Sequence, residues 1–233
     1  MTQHIGIVAC SAEGAALCYR TICGEAAARL GPHAHPEVSM HTHALAEYVL
    51  CLDRGDVAGV GALMLDSARK LSAAGADFLI CPDNTIHAAM PHVLPRSPLP
   101  WLHIAEVAAS EASARGCRRV GIIGTRWLVN SEVYSEKLAA RGLEWLRPSA
   151  DDRACVDRVI MQELVRGIFD PASTCALQAV IGRLAEQGCD AVVLGCTELP
   201  LVLSDANSPL PTLDSTRLLA RAALARAIAG GVG

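Results

Sequence analysis

The stretch from Gly75 to Thr85 (Gly-Ala-Asp-Phe-Leu-Ile-Cys-Pro-Asp-Asn-Thr) returns as Gly188 to Glu198 (Gly-Cys-Asp-Ala-Val-Val-Leu-Gly-Cys-Thr-Glu). Each copy is a Gly-x-Asp lead-in, an apolar run and a short polar tip. A second echo opens each half: Gly6-Ile7-Val8-Ala9-Cys10-Ser11 recurs as Gly121-Ile122-Ile123-Gly124-Thr125-Arg126. Two echoes at nearly the same offset predict two half-chains of similar build. They also make Asp83 and Cys196 equivalent positions, each just past a buried strand. If the halves face one another, an acid/base group in one looks at its counterpart in the other, an arrangement suited to moving a proton from one face of a carbon to the opposite face.

The rest of the pattern predicts an α/β fold. Short apolar runs at 4–9, 36–40, 78–81, 101–104, 120–124, 143–146, 191–194 and 211–213 alternate with helical patterns. Those patterns cover 14–30, 44–52, 60–74, 107–114, 130–140, 151–169, 174–187 and 215–229. Strands separated by amphipathic helices imply βαβ units and mainly parallel sheets. We expect two lobes: residues 1–98 with 211–233, and residues 99–210. Ligands of parallel sheets gather beyond the carboxyl ends of the strands. Ser11, Asp83, Asn84, Thr85, Thr125, Cys196, Thr197 and Asp214 all fall there.

Composition narrows the partners. A net charge of −4 without a basic or acidic block argues against nucleic acid and anionic membrane. No apolar stretch reaches spanning length and no leader pattern opens the chain, so a soluble, cytoplasmic protein is expected. The 10 cysteines show no CxxC and no zinc spacing. Nine of them read as small buried apolar residues. Cys196 is the exception, because a strand-end cysteine beside the amides that open a turn or helix has a stabilised thiolate.

Other candidates carry competing readings. Pro82-Asp83-Asn84-Thr85 is good turn chemistry, so Asp83 is a turn or capping residue as well as a candidate acid/base. Asn84, Thr85 and Thr197 offer donors to an anion or simply cap helices. His87 is placed either to bond Asp83 or substrate, or merely to start a helix. His41-x-His43 has no acidic or cysteine partner nearby at ligand spacing, and no metal is expected. The 41–48 segment, with His41 and His43 as its polar residues, is the expected reader of the substrate side chain. Phosphate-loop, dinucleotide and Gly-x-Ser-x-Gly signatures are absent.

On Cys81-Pro82-Asp83-Asn84-Thr85-Ile86-His87, Leu194-Gly195-Cys196-Thr197-Glu198-Leu199 and Gly121–Arg126, the chain resembles the aspartate/glutamate racemase superfamily. That group includes amino-acid racemases, hydantoin racemase, maleate isomerase and arylmalonate decarboxylase. Weaker parts of the resemblance are Ser11-Ala12-Glu13, Ile160–Leu164 and Leu213-Asp214-Ser215-Thr216. The resemblance implies two pseudo-twofold lobes, a cofactor-free site in the cleft between them and a small substrate carrying a carboxylate. Catalytic roles fall on Cys196 and Asp83, and substrate-binding roles on Ser11, Asn84, Thr85, Thr125, Thr197, His87 and Glu198. A homodimer is expected by the same likeness. Three departures stand out: Asp83 replaces the usual cysteine of the first motif, the opening Gly-Gly-Met is shortened to Ala9-Cys10, and Leu219 stands where a histidine is common.

Two functions follow from this. One is a cofactor-independent amino-acid racemase working through Cys196 and Asp83. The alternative is a decarboxylase or cis–trans isomerase of a small dicarboxylate, built on Cys196 alone. A non-enzymatic ligand sensor is the third reading.

Overall fold

A computed structural model describes residues 2–230. The first unit comprises Met1–Ile104 with Thr216–Gly233, and the second Ala105–Ser215. In the first, β1 (Ile5–Ala9), α1 (Ala12–Leu30), β2 (Val38–Thr42), α2 (Leu45–Asp53), α3 (Val57–Ala73), β3 (Phe78–Ile80), α4 (Met90–Val93) and β4 (Trp101–Leu102) follow in order. The second contains α5 (Ile104–Ala114), β5 (Arg119–Ile123), α6 (Arg126–Val129), α7 (Ser135–Ala139), β6 (Glu144–Leu146), α8 (Ala150–Gln162), α9 (Pro171–Glu186), β7 (Ala191–Leu194) and β8 (Thr212–Asp214). The last helix, α10 (Ser215–Ala229), returns the chain to the first unit.

Each unit holds a four-stranded sheet, ordered β2-β1-β3-β4 and β6-β5-β7-β8, and every strand pair is parallel. The sequence echoes are thus echoes in space. Gly6 sits opposite Leu79 in the β1–β3 pairing, and Gly121 opposite Val192 in β5–β7. β4, expected with the second lobe, pairs in the first sheet, while β8, expected with the first, pairs in the second. β1, β3 and β7 are buried along their whole length, which is why they read as continuous apolar runs.

The Gly-x-Asp lead-in has a structural cause. Gly75 and Gly188 lie at φ +92 and +87, a backbone that glycine adopts without steric cost, and each follows a helix end. The aspartate two residues on then ties its strand to the next. Asp77 Oδ2 accepts from the His4 amide at 2.7 Å, and Asp190 Oδ2 accepts from the Arg118 amide at 2.7 Å.

Core packing follows helical spacing. Val60, Met64, Leu65, Ala68 and Leu71 of α3 join Val8, Leu79 and Cys81 in the first core. Leu177, Val180, Ile181 and Leu184 of α9 join Ile123, Val192 and Leu194 in the second. Leu219 is fully buried in α10. Two expected helices are broken. Of the 130–140 pattern only Ser135–Ala139 is helical, as α7; the one-turn α6 that Thr125 caps precedes it and is closed by Asn130. The 151–169 pattern stops at Gln162, followed by a 3₁₀ turn that ends on Gly167 at φ 72.

Candidate active site

In the first unit the expected residues collect where β1 and β3 end. Ser11 caps α1, its side chain accepting from the Gly14 amide at 3.3 Å. Asp83 lies three residues beyond β3, and its Oδ2 accepts from the Cys10 and Ser11 amides at 3.2 and 3.1 Å. Asn84 and Thr85 open a 3₁₀ turn, Thr85–Ala89, with Asn84 buried.

His87 is 2 % exposed, and its Nε2 lies 3.0 Å from the Cys81 carbonyl. Because a carbonyl only accepts, Nε2 carries the hydrogen and donates. The ring also packs edge-on against His103, with centroids 4.4 Å apart. Cys81, two residues ahead of Asp83, belongs to the core of the first unit. Its side chain is fully buried, and burial first, then the neighbouring Asp83 charge, pushes its thiol well above the ordinary cysteine range. Burial likewise pushes the Tyr48 phenol far above its usual value, so it stays neutral beneath this edge.

In the second unit the corresponding edge carries Cys196, Thr197 and Glu198 after β7. Cys196 Sγ donates to Glu198 Oε2 at 2.8 Å, and Thr197 Oγ1 donates to the same oxygen at 2.8 Å. Thr197 and Glu198 are buried, whereas Cys196 is half-buried. The Glu198 side chain folds back over its own turn, an arrangement that residue order alone did not disclose. Thr125 caps α6, accepting from the Leu128 amide at 3.4 Å. Gly195 is required by close approach: its amide donates to the Ile123 carbonyl at 2.9 Å, and a Cβ there would stand 2.8 Å from that oxygen. The two units differ at the equivalent helix start. Asp83 takes the amides ahead of α1, while Asp157 Oδ1 of α8 takes the Arg126 amide at 2.8 Å.

One expectation is corrected. His41-x-His43 lacks an acidic neighbour along the chain, but α3 supplies one: Asp66 Oδ2 lies 2.9 Å from His43 Nε2. The His41 ring stands 5.0 Å from that of His43 in edge contact. Nothing in the local sequence links residue 66 to this pair; only the packing of α3 on β2 does. Among the described residues no helix is long and apolar enough to cross a membrane.

Comparison with known proteins agrees with this arrangement. The family described as Asp/Glu/hydantoin racemase matches residues 5–223. The broad specificity amino-acid racemase RacX of Bacillus subtilis is 27% identical over 169 residues, covering 71% of each chain. A glutamate racemase of Beutenbergia cavernae is 31% identical over 153 residues, 63% of this chain and 50% of that one. Among solved structures, a provisionally assigned Asp/Glu racemase from Yersinia pestis superposes with a TM-score of 0.90 at 29% identity, covering 97% of this chain and 99% of that one. With its two parallel sheets in matching order and its Gly-Cys-Thr-Glu tip, the chain belongs to the Asp/Glu/hydantoin racemase family of isomerases.

Proposed function

We propose that the chain is a cofactor-independent amino-acid racemase in which Cys196 and Asp83 serve opposite faces of the substrate α-carbon. The observation that carries this reading is the contact of Cys196 Sγ with the buried Glu198 carboxylate at 2.8 Å. A thiol beside a carboxylate has a place to leave its proton, and the pair holds one proton between sulfur and oxygen. With the proton on Glu198, the thiolate takes the α-hydrogen. With the proton on sulfur, Cys196 delivers it to the planar intermediate. On the opposite face Asp83, its Oδ2 anchored by two amides, delivers a proton when Cys196 is the base; in the reverse direction the ionised Asp83 takes the α-hydrogen while the Cys196 thiol delivers its own proton. A thiolate is the stronger base of the two, with an ordinary pKa of about 8.5 against about 3.9 for Asp.

Relatives support an amino-acid substrate: RacX is described as broad in specificity, and the other relative acts as a glutamate racemase. Amide, hydroxyl and backbone donors at Ser11, Asn84, Thr85, Thr125 and Thr197 would hold the substrate carboxylate and absorb developing charge. A reducing, cytoplasmic setting belongs to this reading. A homodimer belongs to the same proposal, and light scattering giving a monomer mass would remove it.

Incubating single enantiomers of amino acids in heavy water and following α-deuteration tests the function. Exchange with loss of optical purity is expected. The second reading, a decarboxylase or cis–trans isomerase on Cys196 alone, draws support from the anchoring of Asp83 Oδ2, which leaves one strong base. Carbon dioxide from substituted malonates or fumarate from maleate, with no exchange on amino acids, would replace the first reading by the second.

A further inference from the structure

We propose that His41, His43 and Asp66 form a binding site for a divalent first-row metal ion of the zinc type. The reading does not depend on the racemase function. One nitrogen from each ring and one carboxylate oxygen lie within 4.8 Å of one another. His41 lies in β2 and His43 one residue beyond its end, alternate positions that share a side, and Asp66 comes to meet them from α3. Two imidazoles and a carboxylate are a nitrogen/oxygen set that suits zinc, nickel or copper, with a further position left for water or ligand. Metal–ligand bonds are about 2.0–2.1 Å long in such sites, so closing on an ion requires about an ångström of side-chain movement.

Two observations separate this group from an ordinary surface ion pair. First, the buried His43 Nε2 has no hydrogen bond of acceptable alignment, although Asp66 Oδ2 lies 2.9 Å away. The approach is an ionic contact out of line for hydrogen bonding, and a ring nitrogen left so is costly unless something else engages it. Second, His41 is oriented from behind. Its Nδ1 lies 2.9 Å from Oγ of the fully buried Ser67, the kind of outer contact that fixes the ring and tautomer of a ligating histidine and keeps the second nitrogen for the ion.

One side chain opposes the ion. Lys70 Nζ lies 2.6 Å from Asp66 Oδ2 and occupies the charge that a metal would use. Glu47, 4.0 Å from His43 Nδ1, stands on the other side of that ring. Lys70 must swing away for binding, so its removal should tighten the site rather than weaken it. A purely structural ion-pair network predicts no such gain.

The test is titration of the full chain with Co²⁺ followed by visible absorption, and with Zn²⁺ followed by calorimetry. Ten cysteines make thiolate binding the obvious competitor. We expect one ion per chain with nitrogen/oxygen-type bands and no thiolate charge-transfer band. Affinity should fall at least about tenfold in His43→Gln and in Asp66→Asn, and rise about tenfold in Lys70→Ala. Unchanged affinity in His43→Gln, a thiolate band, or weaker binding in Lys70→Ala would each overturn the proposal. His43→Gln keeps the size and polarity of the position, and circular dichroism of each variant separates lost ligation from lost fold.

Discussion

A single oxygen, Glu198 Oε2, accepts from both Cys196 Sγ and Thr197 Oγ1. Replacing Glu198 by Gln keeps the shape but removes the place where the thiol proton is stored. The turnover number should fall about 10²–10⁴-fold, the range of a lost general acid–base contribution. Comparing kcat of the two proteins, with circular dichroism to confirm the fold, reads this; an unchanged kcat would make Glu198 a packing residue only. Asp83→Asn separates the two roles of that side chain. The amide oxygen still accepts from the Cys10 and Ser11 amides, so thermal stability should change by less than about 1 kcal/mol. Racemisation should nevertheless stop, leaving α-exchange with retention on the Cys196 face. Full racemase activity in Asp83→Asn would reduce Asp83 to a turn residue. Both positions were legible in the sequence because a strand-end tip is a local pattern. The inward fold of Glu198 and the partners of Asp83 Oδ2 were not, since side-chain direction depends on which strand ends lie alongside.

The same distinction holds for elements. Strand 191–194 and helix 215–229 coincide with their sequence patterns, because burial on both faces or on one stripe leaves a continuous apolar signature. The 130–140 and 151–169 patterns misled for the opposite reason. Apolar period alone does not report the short α6 that Asn130 closes, nor the 3₁₀ turn ending on Gly167 that follows α8. Two predictions belong here. In Gly195→Ala the new methyl meets the Ile123 carbonyl at 2.8 Å, a backbone atom that cannot rotate aside, so the variant should lose about 1–3 kcal/mol in urea unfolding. A change under about half a kcal/mol would show that the β7 turn relaxes freely. The second concerns α8 and α9, where Arg183 grips both carboxylate oxygens of Asp152 and holds that carboxyl below its usual range, with burial opposing. A depressed folded-state pKa means stabilisation that is present above the unfolded value of about 3.9 and lost as pH falls through the folded one. Asp152→Asn should therefore melt lower than the parent at pH 6, by about 1 kcal/mol or less for a pair open to solvent on one side, and the gap should close below pH 4. A gap that persists at pH 3 would place the effect in packing instead of charge.

At the scale of the molecule, two copies of one plan share a single chain. Each sheet places its second strand at the edge and joins its first to its third. Asp83 and Cys196 thus follow corresponding strands at the point where strand order reverses, the place where open parallel sheets bind ligands. The repeat disclosed this much because equivalent positions carry similar residues. It did not disclose which strand pairs with which at the seams, since β4 and β8 are only two and three residues long and carry little pattern of their own. The copies are unequal in one respect. All strands of the second sheet lie within Ala105–Ser215, whereas the first unit also includes Thr216–Gly233, so its last helix arrives from the far end of the chain. That helix is no accessory: Leu219, Ala220, Ala223 and Ala227 are fully buried, the Gln3 amide donates to the Ala227 carbonyl at 2.9 Å, and Arg221 pairs with Glu25 of α1 at 2.8 Å. Expressed separately, 105–215 should show α/β circular dichroism and a cooperative melt, while 1–104 should not. Joining 215–233 to 1–104 through a flexible linker should recover a cooperative transition, because it restores the apolar face that the truncation strips away. A cooperative melt of 1–104 alone would show that α10 only covers a core already complete without it.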